Sequence, residues 1–125
     1  MSMKKEIGTD NVGTAPTLSQ AIETNGMVFV SGQIHADKNW KLQGKTVKEK
    51  LDVIFENIRL ILVVAELELN DIVKATIYVT DMAQIPELNQ HYSSYFSGVL
   101  PAREAVCVKE LPLGATIEIS VIAAR

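Results

Sequence analysis

Cysteine is almost absent. Cys107 stands alone in 125 residues, which rules out a disulfide within the chain and also a two-cysteine metal clip or redox pair. By the ordinary habit of free thiols it reads as a small buried hydrophobe. Histidine is nearly as scarce. His35 and His91 lie far apart with no companion cysteines or carboxylates at zinc-site spacing, so no metal is expected and both read as exposed loop and helix residues. There is no surplus of positive charge either: twelve Lys and Arg against fifteen Asp and Glu give a formal charge of -3, and no overall field draws the chain to phosphate backbones or anionic lipid. With few aromatics, most of them on apolar helix faces, no stacking platform of an RNA reader is visible, which argues against nucleic acid as a partner. No stretch reaches the roughly 18 apolar residues of a membrane span, and the polar segment from Met1 to Thr14 lacks the apolar centre of a secretion signal. No membrane partner and a cytoplasmic location are therefore expected. Walker loops, dinucleotide glycine fingerprints, Gly-x-Ser-x-Gly elbows and His-Glu-x-x-His helices are all missing, so no cofactor is expected.

What is present is an ordinary foldable core. Apolar residues make up 47% of the chain and charged ones 22%, and the length suits one domain over residues 1–125. Ala21 to Thr24 and Met27 to Ser31 flank Asn25-Gly26, a dipeptide that accepts the positive φ values of a tight hairpin. Gly32 to Lys45, with isolated Ile34, Trp40 and Leu42, reads as a surface loop holding a short strand-like piece. Thr46 and Glu49 form a capping-box pair. Val47, Leu51, Ile54, Ile58, Ile61 and Ala65 then recur every three or four residues, which predicts one long amphipathic helix.

Ile72 to Thr80 alternates as a strand, with Val73, Ala75, Ile77 and Val79 assigned to one face and Lys74, Thr76, Tyr78 and Thr80 to the other. Asp81 caps a second helix, Pro86 sits in its first turn, Ile85, Leu88, Tyr92, Tyr95 and Phe96 form its stripe, and Gly98 ends it. Ala102 to Val108 and Thr116 to Ala123 read as strands joined through Pro112 and Gly114. Two helices cover only one face of such a sheet, so the other face must meet water or another subunit.

Two side chains carry candidate chemistry. Arg103 lies at the mouth of a strand, and a guanidinium offers a planar fork that holds a carboxylate with two parallel charged hydrogen bonds. Glu118, between Ile117 and Ile119 in a strand, faces away from those core residues, toward a cleft or subunit interface. Taken alone, each also fits a solvated surface charge.

An ordered set of short motifs resembles the reactive-intermediate deaminase family, also called YjgF or Rid. Ser19-Gln20-Ala21, Ser31-Gly32-Gln33, Glu56-Asn57, Asp71-Ile72-Val73-Lys74, Thr80-Asp81-Met82, Asn89 with Tyr92, Tyr95 and Phe96, Pro101-Ala102-Arg103, Leu111-Pro112 and Ile117-Glu118-Ile119 follow in family order. The resemblance implies an α+β, chorismate-mutase-like fold: a mixed sheet with two helices on one face, assembled as a homotrimeric barrel with ligand clefts between subunits. It also implies hydrolysis of imines and enamines of small 2-oxo acids to the 2-oxo acid and ammonia, without metal or cofactor. On that likeness Arg103 binds the substrate carboxylate and Glu118 orients or activates water, while Gly32, Ala105, Leu18 and Asn89 complete the substrate-binding set.

The chain departs from the family pattern at several places. Leu18 stands where the family has a tyrosine, preceded by Pro16-Thr17 in place of Gly-Pro, Ala105 where it has a cysteine, and Lys50 where a glutamine is expected. The first change makes the pocket more apolar and points to imino acids with larger apolar side chains. Two other functions fit the resemblance: a trimer that binds 2-oxo acids or related carboxylates without turnover, as a sensor or regulator, and an endoribonuclease or translation inhibitor.

Overall fold

A computed structural model describes residues 3–125. Strands β1 (Lys5–Ile7), β2 (Ala21–Thr24), β3 (Met27–Ile34), β4 (Ile72–Val79), β5 (Ala102–Cys107) and β6 (Ile117–Ala124) form one sheet in the order β1-β2-β3-β6-β4-β5. Helix α1 (Val47–Val64) connects β3 to β4, and α2 (Ile85–Tyr92) connects β4 to β5. Only β4 and β5 run parallel, and α2 supplies the crossover that a parallel pair requires. The architecture is mixed α+β, with both helices on the same side of a six-stranded sheet.

Local chemistry explains most of these boundaries. Asn25 and Gly26 have φ values of 52° and 77°, which join β2 to β3 in the tight turn that suits twisted strands. Thr46 accepts from the Glu49 N–H, and the Glu49 carboxylate accepts in return from the Thr46 N–H, so both halves of the capping box are made. Strand β6 alternates fully, with Ile117, Ile119, Val121 and Ala123 buried beneath the helices and Glu118, Ser120 and Ile122 on the other face. The inner residues of β6 pack with Leu51, Ile54, Phe55, Ile58, Ile61 and Leu62 of α1, each of which adds about 1.5–3 kcal/mol when fully buried.

Five expectations need correction. Strand β1 falls within the segment read only as polar, because three residues give too little pattern to register as a strand. Strand β3 runs on through Gly32 to Ile34, and the loop after it keeps just one backbone bridge, Ala36 to Leu42. Val73 is exposed rather than core, since a bulge between Ile72 and Lys74 breaks the alternation. The α-helical part of α2 stops at Tyr92; Ser93–Tyr95 is a 3-10 turn and Phe96 is extended, ahead of Gly98. Finally, Cys107 is exposed: β5 is an edge strand, so even its sheet-facing residues are incompletely covered.

Candidate functional site

Register fixes where the two charged candidates point. Arg103 pairs with Ala75, and paired residues on adjacent strands share a face. Ala75 is fully buried under the helices, so Arg103 projects toward the helix side at the sheet's edge. There its Cζ lies 4.8 Å from the centre of the Tyr92 ring on α2. The four ion pairs among the described residues, Lys48–Asp52, Glu56–Arg59, Lys74–Glu104 and Glu23–Arg125, leave Arg103 uncommitted to any carboxylate.

Glu118 belongs to the opposite face. It pairs with Ile34 on one side and Tyr78 on the other, and it is half-buried on the sheet surface that no helix covers. Burial pushes its carboxyl pKa above the ordinary value of 4.5. Gly32 lies directly against it: a Cβ at position 32 would fall 2.2 Å from Glu118 Oε2 and 2.9 Å from its Cδ. Gly32 leaves the space that the Glu118 carboxylate occupies, and Gly32→Ala should push that carboxylate aside.

Leu18 is exposed just before β2. It stays near the Gly32 end of β3 because the Ser31 hydroxyl donates to the Ser19 carbonyl and the Ser31 N–H to that of Gln20. Ala105 pairs with Ile77 and lies on the Arg103 side, half-buried. Asn89 is exposed on α2, one turn before Tyr92. The chain therefore gathers Gly32 and Glu118, with Leu18 nearby, on one side and Arg103, Ala105 and Asn89 on the other. The sheet itself separates the two groups.

The structure overturns the reading of His35. It is 3% exposed, and its ring joins three segments: Nδ1–H donates to the Gln43 carbonyl at 2.9 Å, and Nε2 accepts the Thr116 N–H at 3.1 Å. That pattern fits only the neutral ring. Burial holds its pKa below 6.5, and the nearby ammonium of Lys50, which donates to Thr116 Oγ1, pushes the same way. A lowered folded pKa means that the unfolded chain takes up the proton first, so stability is fully present above about pH 6.5 and is lost as pH falls through the folded value. Denaturant unfolding should show a stability loss below pH 6.5 that is shallower in His35→Gln; equal pH slopes would contradict this. Sequence pattern missed His35 because Gln33, Ile34, His35 and Ala36 are all buried in succession, which matches neither helical nor strand periodicity. His91 is half-exposed on α2.

A cavity of about 580 Å³ lies elsewhere, between α1 and the loop after β3. Its carboxylates are already engaged, Asp37 by the N–H groups of Asn39 and Lys41, Asp52 by Lys48 and Tyr95, and Glu56 by Arg59. No group of three or more His, Cys, Asp and Glu able to hold a metal occurs among the described residues. Nor is any helix there long and apolar enough to cross a membrane.

A six-stranded sheet with helices on one face, an open second face and charged groups on both sides defines a class found in known proteins. The family model described as endoribonuclease L-PSP matches residues 9–125. A RutC family protein of Aquifex aeolicus is 45% identical over 109 residues, 86% of this chain and 87% of that protein. The mouse protein named 2-iminobutanoate/2-iminopropanoate deaminase is 35% identical over 108 residues, 86% of this chain and 80% of its own. The crystal structure of yeast Mmf1 superimposes with a TM-score of 0.93 at 33% identity, covering 98% of both chains. The chain belongs to the endoribonuclease L-PSP family, which is the YjgF or Rid family.

Proposed function

We propose that the protein hydrolyses imines and enamines of small 2-oxo acids to the 2-oxo acid and ammonia, in clefts shared by neighbouring subunits of a homotrimer. The observation that carries this reading is the division of the two charged groups between opposite faces of the sheet, with the Arg103 fork bound to no carboxylate among the described residues. Each protomer then offers two half-sites, which complete one another only across a subunit boundary. The open face supports such an assembly. It presents Ile22, Phe29, Ile122, Tyr78 and Val106 beside the Lys74–Glu104 ion pair, a mixed surface suited to another copy of the sheet.

Arg103 donates two N–H groups to the substrate carboxylate and fixes the imine carbon in position. Glu118 takes a proton from water as the oxygen bonds to the carbon of the protonated imine, which yields a neutral carbinolamine. It then returns that proton to nitrogen and accepts the hydroxyl proton as the carbonyl forms and ammonia leaves. The raised Glu118 pKa makes the carboxylate a better proton acceptor than an ordinary surface glutamate, which favours its part as base. An imine carbon is already electrophilic, so the cycle requires neither metal nor cofactor. Such imines form inside cells, from pyridoxal-phosphate enzymes, which makes the cytoplasm the proposed location.

The mouse relative, named as a 2-iminobutanoate/2-iminopropanoate deaminase, supports the same chemistry. The family's description as an endoribonuclease finds less support in the residues. His35 has both ring nitrogens bound to backbone groups, and the net charge is negative. Salt-dependent binding of RNA by the intact protein would revive that reading.

Ammonia release from freshly generated imino acids tests the proposal. The protein should accelerate hydrolysis above the spontaneous rate, most for larger apolar side chains because of Leu18. A fastest rate on the smallest imino acid would contradict the role given to Leu18. No acceleration on any substrate, or a stable monomer in sedimentation, would contradict the deaminase reading.

A further inference from the structure

Arg103 is exposed on an edge strand, where an arginine side chain would ordinarily sample many rotamers. Ordering it on a ligand would then cost most of its rotamer entropy. Its position over Tyr92 changes that. The Tyr92 ring is 5% exposed and fixed in an aromatic cluster, with its centre 6.1 Å from that of Phe55 and 5.3 Å from that of Phe96. Its face is thus a rigid surface under a mobile cation.

We propose that Tyr92 is a positioning residue, whose ring holds the Arg103 guanidinium so that the N–H fork is ready for a carboxylate ligand. The inference rests on the reading of Arg103 as the carboxylate anchor. Its physical basis is a division of labour within the guanidinium. A ring below attracts the cation through its π face, whereas the N–H donors lie in the guanidinium plane and remain available. A protein carboxylate in the same role would occupy those donors and compete with the ligand.

The phenol oxygen plays no part in this. Tyr92 Oη is buried without a hydrogen-bond partner among the described residues, a situation that is itself destabilising. Tyr92→Phe should therefore keep the platform and fold at least as stably as the parent. What matters is the electron-rich face of the ring.

The test uses calorimetric binding of 2-oxobutanoate to the full-length protein carrying, at position 92, Phe, then phenylalanines with one, two and three ring fluorines. Fluorination nearly preserves shape while it withdraws charge from the ring face, so a packing role would leave affinity unchanged. Tyr92→Phe should bind within about twofold of the parent. Affinity should then fall stepwise, by about 5- to 30-fold in total, matching a cation–π contribution of about 1–2 kcal/mol. In turnover the same series should raise KM and leave kcat unmoved.

Tyr92→Leu should match the last member of the series. In an Arg103→Ala background the fluorine dependence should vanish. A flat series alongside lost binding in Arg103→Ala would overturn the inference and leave the reading of Arg103 standing. Unchanged binding in Arg103→Ala would overturn both.

Discussion

Arg103→Ala should weaken binding of a 2-oxo acid by at least about 30-fold, and by up to several thousandfold if the cleft is well desolvated. That range follows from the 2–5 kcal/mol typical of removing one partner from a buried, hydrogen-bonded charge pair. Arg103→Lys should recover only part of the loss. An ammonium restores charge, but it neither donates two parallel hydrogen bonds nor lies flat on the Tyr92 ring. Fold stability should fall by no more than about 1 kcal/mol in either variant, because the side chain is exposed, its contact is the Tyr92 ring and none of the four ion pairs among the described residues includes it. Calorimetry with a single 2-oxo acid and a thermal melt of each variant check both halves. Parental affinity in both variants would remove the anchor from the mechanism.

Glu118→Gln should separate binding from chemistry. The amide fills the same space beside Gly32 but neither accepts the water proton nor returns one, so turnover should fall by about 10²–10⁴-fold while affinity for a 2-oxo acid stays near parental. The parental rate should rise with pH as Glu118 ionises, with the limb placed above 4.5 because burial raises its pKa. That limb should disappear in Glu118→Gln. The sign for stability is the reverse. With its folded pKa raised, Glu118 holds its proton longer in the fold than in the unfolded chain, so its contribution to stability declines as pH climbs from 4.5 through the folded value. Glu118→Gln should therefore lose activity and gain stability near neutral pH. Equal rates of ammonia release in parent and variant would instead favour a protein that binds carboxylates without turnover.

The sequence was most legible where pattern and burial agree. Helix α1 carries a capping box and a long stripe, and β6 alternates without interruption, so both could be read from residue spacing alone. The orientation of Glu118 followed from its two isoleucine neighbours by the same logic. Legibility failed where tertiary contacts override local pattern. A bulge turned Val73 outward, an edge position uncovered Cys107, and the successive burial of Gln33 to Ala36 hid His35 inside what looked like a surface loop.

The site was legible only as a set of residue types. That Arg103 lies on the face opposite Glu118 depends on the register of β5 against β4, a long-range parallel pairing with no local signature. The platform beneath Arg103 was hidden for a similar reason. Tyr92 belongs to the apolar stripe of α2, and only the parallel placement of β5 brings the guanidinium over its ring.

The most direct test of a site divided between protomers is complementation of two inactive variants. Arg103→Ala and Glu118→Ala, unfolded together in equal amounts and refolded, should form mixed trimers. A cleft is intact when one neighbour supplies the arginine and the other the glutamate, which random assembly around a closed ring achieves in about a quarter of clefts. The account predicts recovery of about a quarter of parental ammonia release. Mixed trimers no more active than either variant alone would contradict it.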